Sequence, residues 1–424
     1  MAESGKLGNP LKLAAALVLG LLLGIGAGYA LFSGGQPATG PTGSPQLTPA
    51  PETVFKIGFT IPLSGELSSV GKLWEKAIYM AIEDLNEEVK AYGLNVRFEP
   101  VVLDDKTKEE DALKNVQSLN QLGIKIVVGP AASSQVKAVM NYAESNKMVI
   151  ISPSSTAPTL AIPGDFVFRN TGSDALQAKA LAALVSHEGF SNVVVFHRDD
   201  EYGRAFAEFF AKEFSALGGT ATSMPYATGL SDYASEVAGL SSKVQELGAD
   251  AVVLISFDTD GANILSHAKD DPVLSNTRWF SSEGIHGASE LLQPEMANFL
   301  MRIKFLGTRP VFRENPLYKD FAERFKKETG DYPPVFTDKV YDAVFLAGWS
   351  ILRAGEYDGE AIKKALPLVA EKFYGVSGWC ILDENGDRLM QDYAIWGIAK
   401  SGDTFEFKDI GSWSAGALTM EEED

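Results

Sequence analysis

Serine-rich loops follow two of the predicted β-strands, and their side chains suit the binding of a small charged molecule. The first loop, residues 129–135, reads GPAASSQ and follows a predicted strand over 124–128. Ser133 and Ser134 stand there at the start of a predicted helix, where free backbone N–H groups and the helix dipole favour an anion. The competing interpretation is that one of these serines only caps the helix.

The second loop, residues 152–158, reads SPSSTAP and follows a predicted strand over 148–151. Its two prolines limit the freedom of the backbone, so the loop can hold hydroxyl and carbonyl groups in fixed positions towards a ligand. A plain turn is the alternative. Because open α/β sheets bind their ligands at the carboxyl ends of the strands, the two loops together predict a binding site.

Composition and residue inventory argue against several other kinds of chemistry. The chain of 424 residues has a formal net charge of −19, which would repel nucleic acid. Cys380 is the single cysteine, and the four histidines show no metal-ligand spacing. No G-x-S-x-G nucleophile motif occurs in the sequence. We therefore expect no metal, no cofactor, no nucleic-acid partner and no enzymatic activity.

Short β-rich runs alternate with amphipathic helical stretches after residue 51, a pattern that predicts parallel sheets covered by helices on both faces. The chain is longer than one core requires, which favours two lobes. The expected fold class is therefore α/β, with two doubly wound parallel-sheet lobes. The strands predicted for the two series are 54–61, 96–103, 124–128 and 148–151 in the first, and 193–196 and 251–256 in the second.

The N-terminal region contains a stretch, residues 12–32, that is almost entirely apolar and long enough to cross a hydrocarbon core of ~30 Å. Lys6 lies before this stretch, Lys12 is its first residue and no basic cluster follows, so the positive-inside bias places residues 1–11 in the cytoplasm and the body outside. We predict a transmembrane anchor, followed by a flexible Pro/Gly/Thr/Ser linker over 33–52. A cleaved secretory signal is the competing interpretation, since residues 28–30 resemble a cleavage site.

Longer stretches of sequence point to a known family, and they include IGFTIPLSGELSSVGK, IVVGPAASSQ, VIISPSSTAPTL and GVSGWCILDENGD. In these stretches the chain resembles the substrate-binding proteins of branched-chain amino acid type ABC transporters, which have the leucine-binding-protein-like periplasmic binding protein type I fold. The resemblance implies two lobes that are joined by a three-strand hinge and close over a ligand. It implies the following division: lobe one from 53–171 and 307–374, lobe two from 172–306 and 375–410, and an acidic tail over 411–424.

The resemblance also implies which residues contact the ligand. Ser133 falls at the serine that binds the ligand carboxylate through its hydroxyl and its backbone N–H. Thr156 and the carbonyl of Ser154 or Ser155 fall where both charged ends of the ligand are bound. Tyr202 falls at an aromatic residue whose ring closes over the ligand backbone.

An acidic residue that pairs with the ligand ammonium is implied at Asp260, with Asp258 as the competing position after a two-residue shift. Glu283, at another predicted strand end, is a further candidate, either for the ammonium or for a salt bridge at the hinge. A buried zwitterion needs hydrogen-bond donors at one end and an acid at the other. Trp74 and Phe257 either line the side-chain pocket or belong to the core.

The function that follows is that of an extracytoplasmic, membrane-anchored solute-binding protein. We expect it to capture an amino acid, branched-chain or similar, and to deliver it to an ABC permease, with the binding domain extracellular or periplasmic. The alternative is an extracellular ligand-sensing receptor domain for a small amphoteric or amide solute. Against this alternative, the predicted cytoplasmic tail of residues 1–11 is too short for an output domain.

Overall fold

Two α/β lobes make up the part of the chain that the computed structural model describes, residues 51–311 and 315–421. The predicted cytoplasmic tail (1–11), the predicted anchor (12–32) and nearly all of the predicted linker (33–52) lie outside these described residues. Among the helices within them, none combines the length and the apolar character needed to span a bilayer. Each lobe encloses apolar core of its own.

The first lobe is built on a five-stranded parallel sheet with the order β2-β1-β3-β4-β5. Strands β3 and β4 are buried along their whole lengths, because helices cover both faces of the sheet. The strand bounds are Thr53–Ile61 (β1), Val96–Asp104 (β2), Ile126–Val128 (β3), Val149–Ser152 (β4) and Val167–Arg169 (β5). The helices that connect them are Ser68–Ala91 (α1), Glu109–Gln121 (α2) and Ser133–Asn146 (α3).

Helix α1 shows how the sequence pattern produces this packing. Its apolar residues recur every three or four positions, so Trp74, Ile78, Leu85 and Val89 fall on one face and are buried in the core of the first lobe. Burying each large side chain contributes about 1.5–3 kcal/mol. The helix ends before Gly93, whose φ of +74° lies in the left-handed region that glycine adopts without steric cost.

The second lobe is built on an eight-stranded sheet with the order β15-β14-β13-β10-β9-β8-β6-β7. Strands β6 to β10 are parallel, and β13, β14 and β15 add to one edge in antiparallel orientation. The strand bounds are Asn192–Arg198 (β6), Thr220–Tyr226 (β7), Ala251–Ile255 (β8), Arg278–Ser281 (β9), Leu306–Val311 (β10), Asp392–Ser401 (β13), Thr404–Ser414 (β14) and Ala417–Met420 (β15). The helices are Asp174–His187 (α4), Glu201–Ala216 (α5), Ala234–Leu247 (α6), Asp258–Ala268 (α7) and Pro294–Arg302 (α8).

Three later helices return to the first lobe, together with a small two-stranded ribbon. Apolar residues from all three helices pack into the first core. The bounds are Pro316–Thr329 (α9), Thr337–Ala354 (α10), Gly359–Ala370 (α11), Tyr374–Gly375 (β11) and Gly378–Trp379 (β12). The chain therefore passes between the lobes three times: after β5, after β10, and before β13.

The division predicted from the sequence differs from the structure at two of these passages. The predicted boundary at 306/307 falls at the start of β10, which pairs with β9 and β13 and so belongs to the second sheet. The predicted boundary at 374/375 comes too early, since Val376 and Cys380 still pack in the first core. Both differences arise because the local pattern of hydrophobic residues does not change where the chain passes from one lobe to the other.

The predicted acidic tail over 411–424 is corrected in the same way. Its residues up to Met420 complete β14 and form β15, which pair with each other along the edge of the second sheet. Trp413 anchors this edge, because it is buried and its ring lies 6.0 Å from the ring of Tyr393. The acidic residues at 421–424 are typical of a tail, and for this reason the sequence does not predict the strands that precede them.

A buried ion pair holds the passage between the lobes in place. Arg169, the last residue of β5, donates to both carboxylate oxygens of Asp387, and the two side chains are almost fully buried. The same guanidinium donates at 2.6 Å to the carbonyl of Ala157, in the second serine-rich loop. Backbone hydrogen bonds from Arg169 to Gly386 and from Arg388 to Arg169 complete the junction. The ion pair therefore links the third passage of the chain to that loop.

Replacing Asp387 tests the contribution of this pair to stability. We expect Asp387→Ala to lower the free energy of unfolding by about 3–5 kcal/mol, because it leaves the buried charge of Arg169 without its partner. Urea unfolding followed by circular dichroism measures the change. The matched control is Glu295→Ala, which removes a carboxylate that bonds Lys269 but is 80% exposed, and should leave the midpoint unchanged. Equal effects of the two substitutions would contradict the assignment.

Candidate functional site

Corresponding edges of the two sheets face each other across a cavity. The parallel parts of the sheets have the same order, β2-β1-β3-β4-β5 in the first lobe and β7-β6-β8-β9-β10 in the second. In this order the connections change direction between β1 and β3 and between β6 and β8, and ligands bind beside such switch points. The helices that begin there are α1 and α3 in the first lobe and α5 and α7 in the second.

The space between the lobes amounts to about 490 Å³, including a part that is open to solvent, and residues of both lobes line it. Three of the residues predicted from the sequence, Ser134, Ser155 and Asp260, do not line it. The structure brings the other six together: Ser133, Ser154, Thr156, Tyr202, Asp258 and Glu283.

Ser133 presents a hydroxyl hydrogen and a helix N-terminus to the cavity. The residue before α3 is Ala132, whose side chain cannot cap a helix, so neither Ser133 nor Ser134 acts as the cap. The oxygen of the Ser133 hydroxyl accepts hydrogen bonds from the Ser155 hydroxyl at 3.1 Å and from the Ala157 N–H at 3.3 Å. Because both lone pairs are used, the Ser133 proton remains available to a ligand. The first N–H groups of α3 add a favourable field for an anion.

The second serine-rich loop is tied to the first by hydrogen bonds. Ser154 donates to the carbonyl of Ala131 at 3.0 Å. Thr156 donates to the carboxylate of Asp174 at 2.8 Å, so the lone pairs of its hydroxyl oxygen can accept from an ammonium group. Ser155 is buried and supports Ser133 from behind without lining the cavity. The loop thus contributes one direct acceptor and one supporting hydroxyl.

Tyr202 forms an aromatic wall on the side of the second lobe. Its ring stacks on that of Phe257, with 5.6 Å between the ring centroids and an angle of 14° between the planes. Its hydroxyl shares a hydrogen bond of 2.7 Å with Ser282. The guanidinium of Arg198 lies 3.8 Å from the centroid of the Phe257 ring. These contacts hold the two aromatic side chains in fixed orientations beside the cavity.

Glu283 places a carboxyl group in the same cavity. It follows β9, is 3% exposed, and accepts a hydrogen bond of 2.6 Å from Gln177. Removal from water raises the pKa of Glu283 to about 7. Burial also raises the pKa of the neighbouring Asp174 well above its usual value, and the like charge of Glu283 adds to this. A cation that entered the cavity would relieve the cost of ionising Glu283.

Asp260 has a different role from the one implied by the sequence. Its carboxylate accepts from Arg198 and from the Tyr226 hydroxyl, both at 2.6 Å, and from the backbone N–H of Phe257. It holds Arg198 in place under the aromatic wall and does not reach the cavity. The acids that line the cavity are Asp258, two residues earlier, and Glu283. The physical reason is helix geometry, because residues two apart at the start of α7 point in different directions.

An apolar wall encloses the remaining part of the cavity, and the sequence predicts only a few of the residues that form it. Trp74 and Phe257, which could line the pocket or belong to the core according to the sequence, both line the cavity. The residues that sequence reasoning missed lie at the start of α1 and before α10: Leu67, Val70, Val335 and Phe336. The position of α1 at a switch point was a usable signal for the first two. No local pattern signals the other two, which come from a distant part of the chain.

Contacts between the lobes surround the cavity. Glu66 of the first lobe pairs with Arg198 of the second at 2.8 Å, and Ser69 donates to Asp258. On the other side, Glu201 accepts from Lys137 at 2.6 Å and from Thr159 at 2.5 Å. These contacts hold the lobes together around the cavity, and separating them would widen its opening for a ligand.

The groups around the cavity can hold a small molecule that carries charges of both signs. Donors meet one side of the cavity, acids the other, and apolar side chains the rest, which is how a small amphoteric molecule is held. No histidine lies among the residues that line the cavity, and the Ser133 hydroxyl bonds to another serine and a backbone N–H. Within residues 51–311 and 315–421, no group of three or more potential metal ligands comes together.

Comparisons with known proteins agree with this geometry. The family described as "Receptor family ligand binding region" matches residues 73–401. The Leucine-, isoleucine-, valine-, threonine-, and alanine-binding protein of Pseudomonas aeruginosa is 26% identical over 360 residues, which cover 84% of this chain and 92% of that protein.

Solved structures show the same fold. A leucine-binding protein from Thermotoga maritima has a TM-score of 0.72 at 23% identity, covering 85% of this chain and 99% of that one. A branched-chain amino acid transporter substrate-binding protein from Streptococcus pneumoniae, in complex with isoleucine, has a TM-score of 0.67 at 22% identity and covers 84% of this chain and 100% of that one. These likenesses confirm the periplasmic binding protein type I fold expected from the sequence. The chain belongs to the family of receptor-type ligand-binding regions.

Proposed function

We propose that this chain is an extracytoplasmic solute-binding protein that captures an amino acid, branched-chain or similar, and delivers it to an ABC permease. The observation that carries the proposal is the distribution of chemical groups in the cavity between the lobes. Hydrogen-bond donors come from the first lobe, carboxyl groups from the second, and apolar side chains cover the rest. A zwitterion with a small side chain matches all three. The protein binds this solute without changing it.

The orientation of the ligand follows from the charges. Its carboxylate meets the Ser133 hydroxyl and the N-terminus of α3, where the helix dipole is positive. Its ammonium meets Glu283 and the lone pairs of Thr156, with the carbonyl of Ser154 nearby. The ring of Tyr202 covers the ligand backbone. The side chain then points towards the apolar wall that Trp74 and its neighbours form.

The names of similar proteins support the same solute class. The Pseudomonas aeruginosa protein binds leucine, isoleucine, valine, threonine and alanine according to its name, and the Streptococcus pneumoniae protein holds isoleucine. The second belongs to a branched-chain amino acid transporter. By extension, delivery to an ABC permease is part of the proposal for this chain.

Attachment to the membrane through residues 12–32 also belongs to the proposal. Its support is the apolar composition of that stretch and the positions of Lys6 and Lys12. A linker over 33–52, rich in Gly, Pro, Thr and Ser, would let the lobes move on a tether while they remain close to a permease in the same membrane.

Substitution of adjacent serines tests the carboxylate site. Ser133→Ala should weaken amino acid binding by about 10- to 100-fold, because a hydrogen bond to a charged group contributes about 1.5–3 kcal/mol. Isothermal titration calorimetry of the purified protein against a panel of amino acids measures the affinity. Ser134→Ala is the matched control, since Ser134 is the next residue but does not line the cavity, and its affinity should equal that of the wild type. No amino acid binding by the wild-type protein would overturn the proposal.

The raised pKa of Glu283 predicts that binding depends on pH. Without ligand the carboxyl group titrates at a pKa of about 7, whereas a bound ammonium favours the ionised form and lowers that pKa. Binding must therefore release a proton when the pH is below about 7, and the affinity should fall by up to tenfold per pH unit there. Above that pH the affinity should be constant, because the group is already ionised.

Calorimetry in buffers of different ionisation enthalpy counts the released proton directly. The proton release and the fall in affinity should both become smaller in Glu283→Gln, which removes this titrating group. Asp258, whose pKa burial also raises to about 7, still lines the cavity in the variant. This variant should also bind more weakly by about 2–5 kcal/mol at neutral pH, because the ammonium loses its counter-charge. An affinity that stays constant from pH 5 to pH 8 in the wild type would rule out Glu283 as the partner of the ammonium.

A further inference from the structure

Asp258 is a second acid in the cavity, and in the ligand orientation proposed above it makes no contact with the ligand. It is the first residue of α7 and is 7% exposed. It lines both the ligand cavity and the wider groove between the lobes. A zwitterion has one ammonium group, and Glu283 supplies its counter-charge. The carboxylate of Asp258 can therefore contact a part of the ligand other than its backbone.

The partners of Asp258 within the protein are few. The Ser69 hydroxyl, from the first lobe, donates to one of its oxygens. In the part of the chain that the structure describes, no Lys, Arg or His forms an ion pair with Asp258, and its second oxygen has no hydrogen-bond donor. Asp260, two residues along, contrasts with it, because Arg198 and Tyr226 both bond that carboxylate.

The surroundings of Asp258 disfavour the ionised form of its carboxyl group. Burial raises the pKa of Asp258 to about 7, and the like charges of Glu290 and Asp260 add to the effect. A ligand that supplied a donor to the second oxygen would stabilise the ionised form of Asp258 against these effects.

The position of Asp258 indicates which part of the ligand it meets. Its bond to Ser69 places it beside the start of α1, and from the same turns of chain Leu67, Val70 and Trp74 line the cavity. These residues form the apolar wall that receives the ligand side chain. Asp258 therefore lies at the edge of the side-chain compartment, where it also lines the groove.

We propose that Asp258 accepts a hydrogen bond from the side chain of the bound amino acid, so that the preferred ligand carries a hydroxyl or amide donor on a small side chain. This inference rests on the proposed function, since it assumes an amino acid in the cavity. Threonine and asparagine are the simplest ligands of this class. Their apolar isosteres, valine and leucine, would leave the carboxylate oxygen unpartnered.

Calorimetry with isosteric pairs tests the inference. Threonine and valine have nearly the same shape, as do asparagine and leucine, so the ratio of affinities within a pair isolates the donor. For the wild-type protein at pH 8, above the raised pKa of Asp258, we expect threonine to bind about 10- to 100-fold more tightly than valine, and asparagine more tightly than leucine by a similar factor, because the acceptor is then charged.

Two variants separate contact with the ligand from contact between the lobes. In Asp258→Asn the amide oxygen can still accept from Ser69, while the group that faces the ligand loses its negative charge. The ratios should fall by about tenfold, because a hydrogen bond to a neutral group contributes less than one to a charged group. In Ser69→Ala the carboxylate remains but the contact between the lobes is lost. This control should lower the affinities for threonine and valine by the same factor and keep their ratio.

The outcomes are distinct. A wild-type protein that binds valine and leucine as tightly as their isosteres overturns the inference and leaves the proposed function intact. Equal loss of both ligands in Asp258→Asn, with the ratio preserved, also overturns it, because Asp258 would then act only through Ser69. Failure of the wild-type protein to bind any of the four amino acids overturns the proposed function itself.

Discussion

A charge that leaves water must find a partner, and the cavity of this protein offers partners of both signs from different lobes. The start of α3 and the Ser133 hydroxyl supply donors from the first lobe, while Glu283 supplies a carboxyl group from the second. An amphoteric solute satisfies both only when the lobes are together. Binding and closure are therefore coupled by the same interactions, with no need for a separate signal between them.

The repeated sheet order explains how the two sets of groups come to face each other. Each lobe places the N-termini of two helices at its switch point, and the two switch points line the cavity from opposite sides. The junction of Arg169 and Asp387 fixes the passage between the lobes and also bonds the second serine-rich loop. Arg169 therefore connects the passage between the lobes with a loop that lines the cavity, so the hinge and the binding site are held by the same buried hydrogen bonds.

Much of this site could be predicted from the sequence, and the failures have physical causes. The two serine-rich loops could be predicted because short polar loops after buried strands mark the carboxyl edge of a parallel sheet, and the family resemblance singled out Ser133 and Thr156 within them. Asp260 was assigned to the ammonium because sequence alone does not show which of two acids at a helix start turns inward. Phe336 reaches the cavity from a distant segment with a left-handed backbone, φ +66°, which no local pattern signals. The final strands were missed because their acidic end resembles a tail.

A crystal structure of the protein with a bound amino acid tests the central claim most directly. The account predicts density for a single amino acid between the lobes, with its carboxylate within hydrogen-bond distance of the Ser133 Oγ and the first N–H groups of α3. Its ammonium should lie against the Glu283 carboxylate. A ligand bound in the reverse orientation, or bound outside this cavity while the cavity stays empty, would contradict the account.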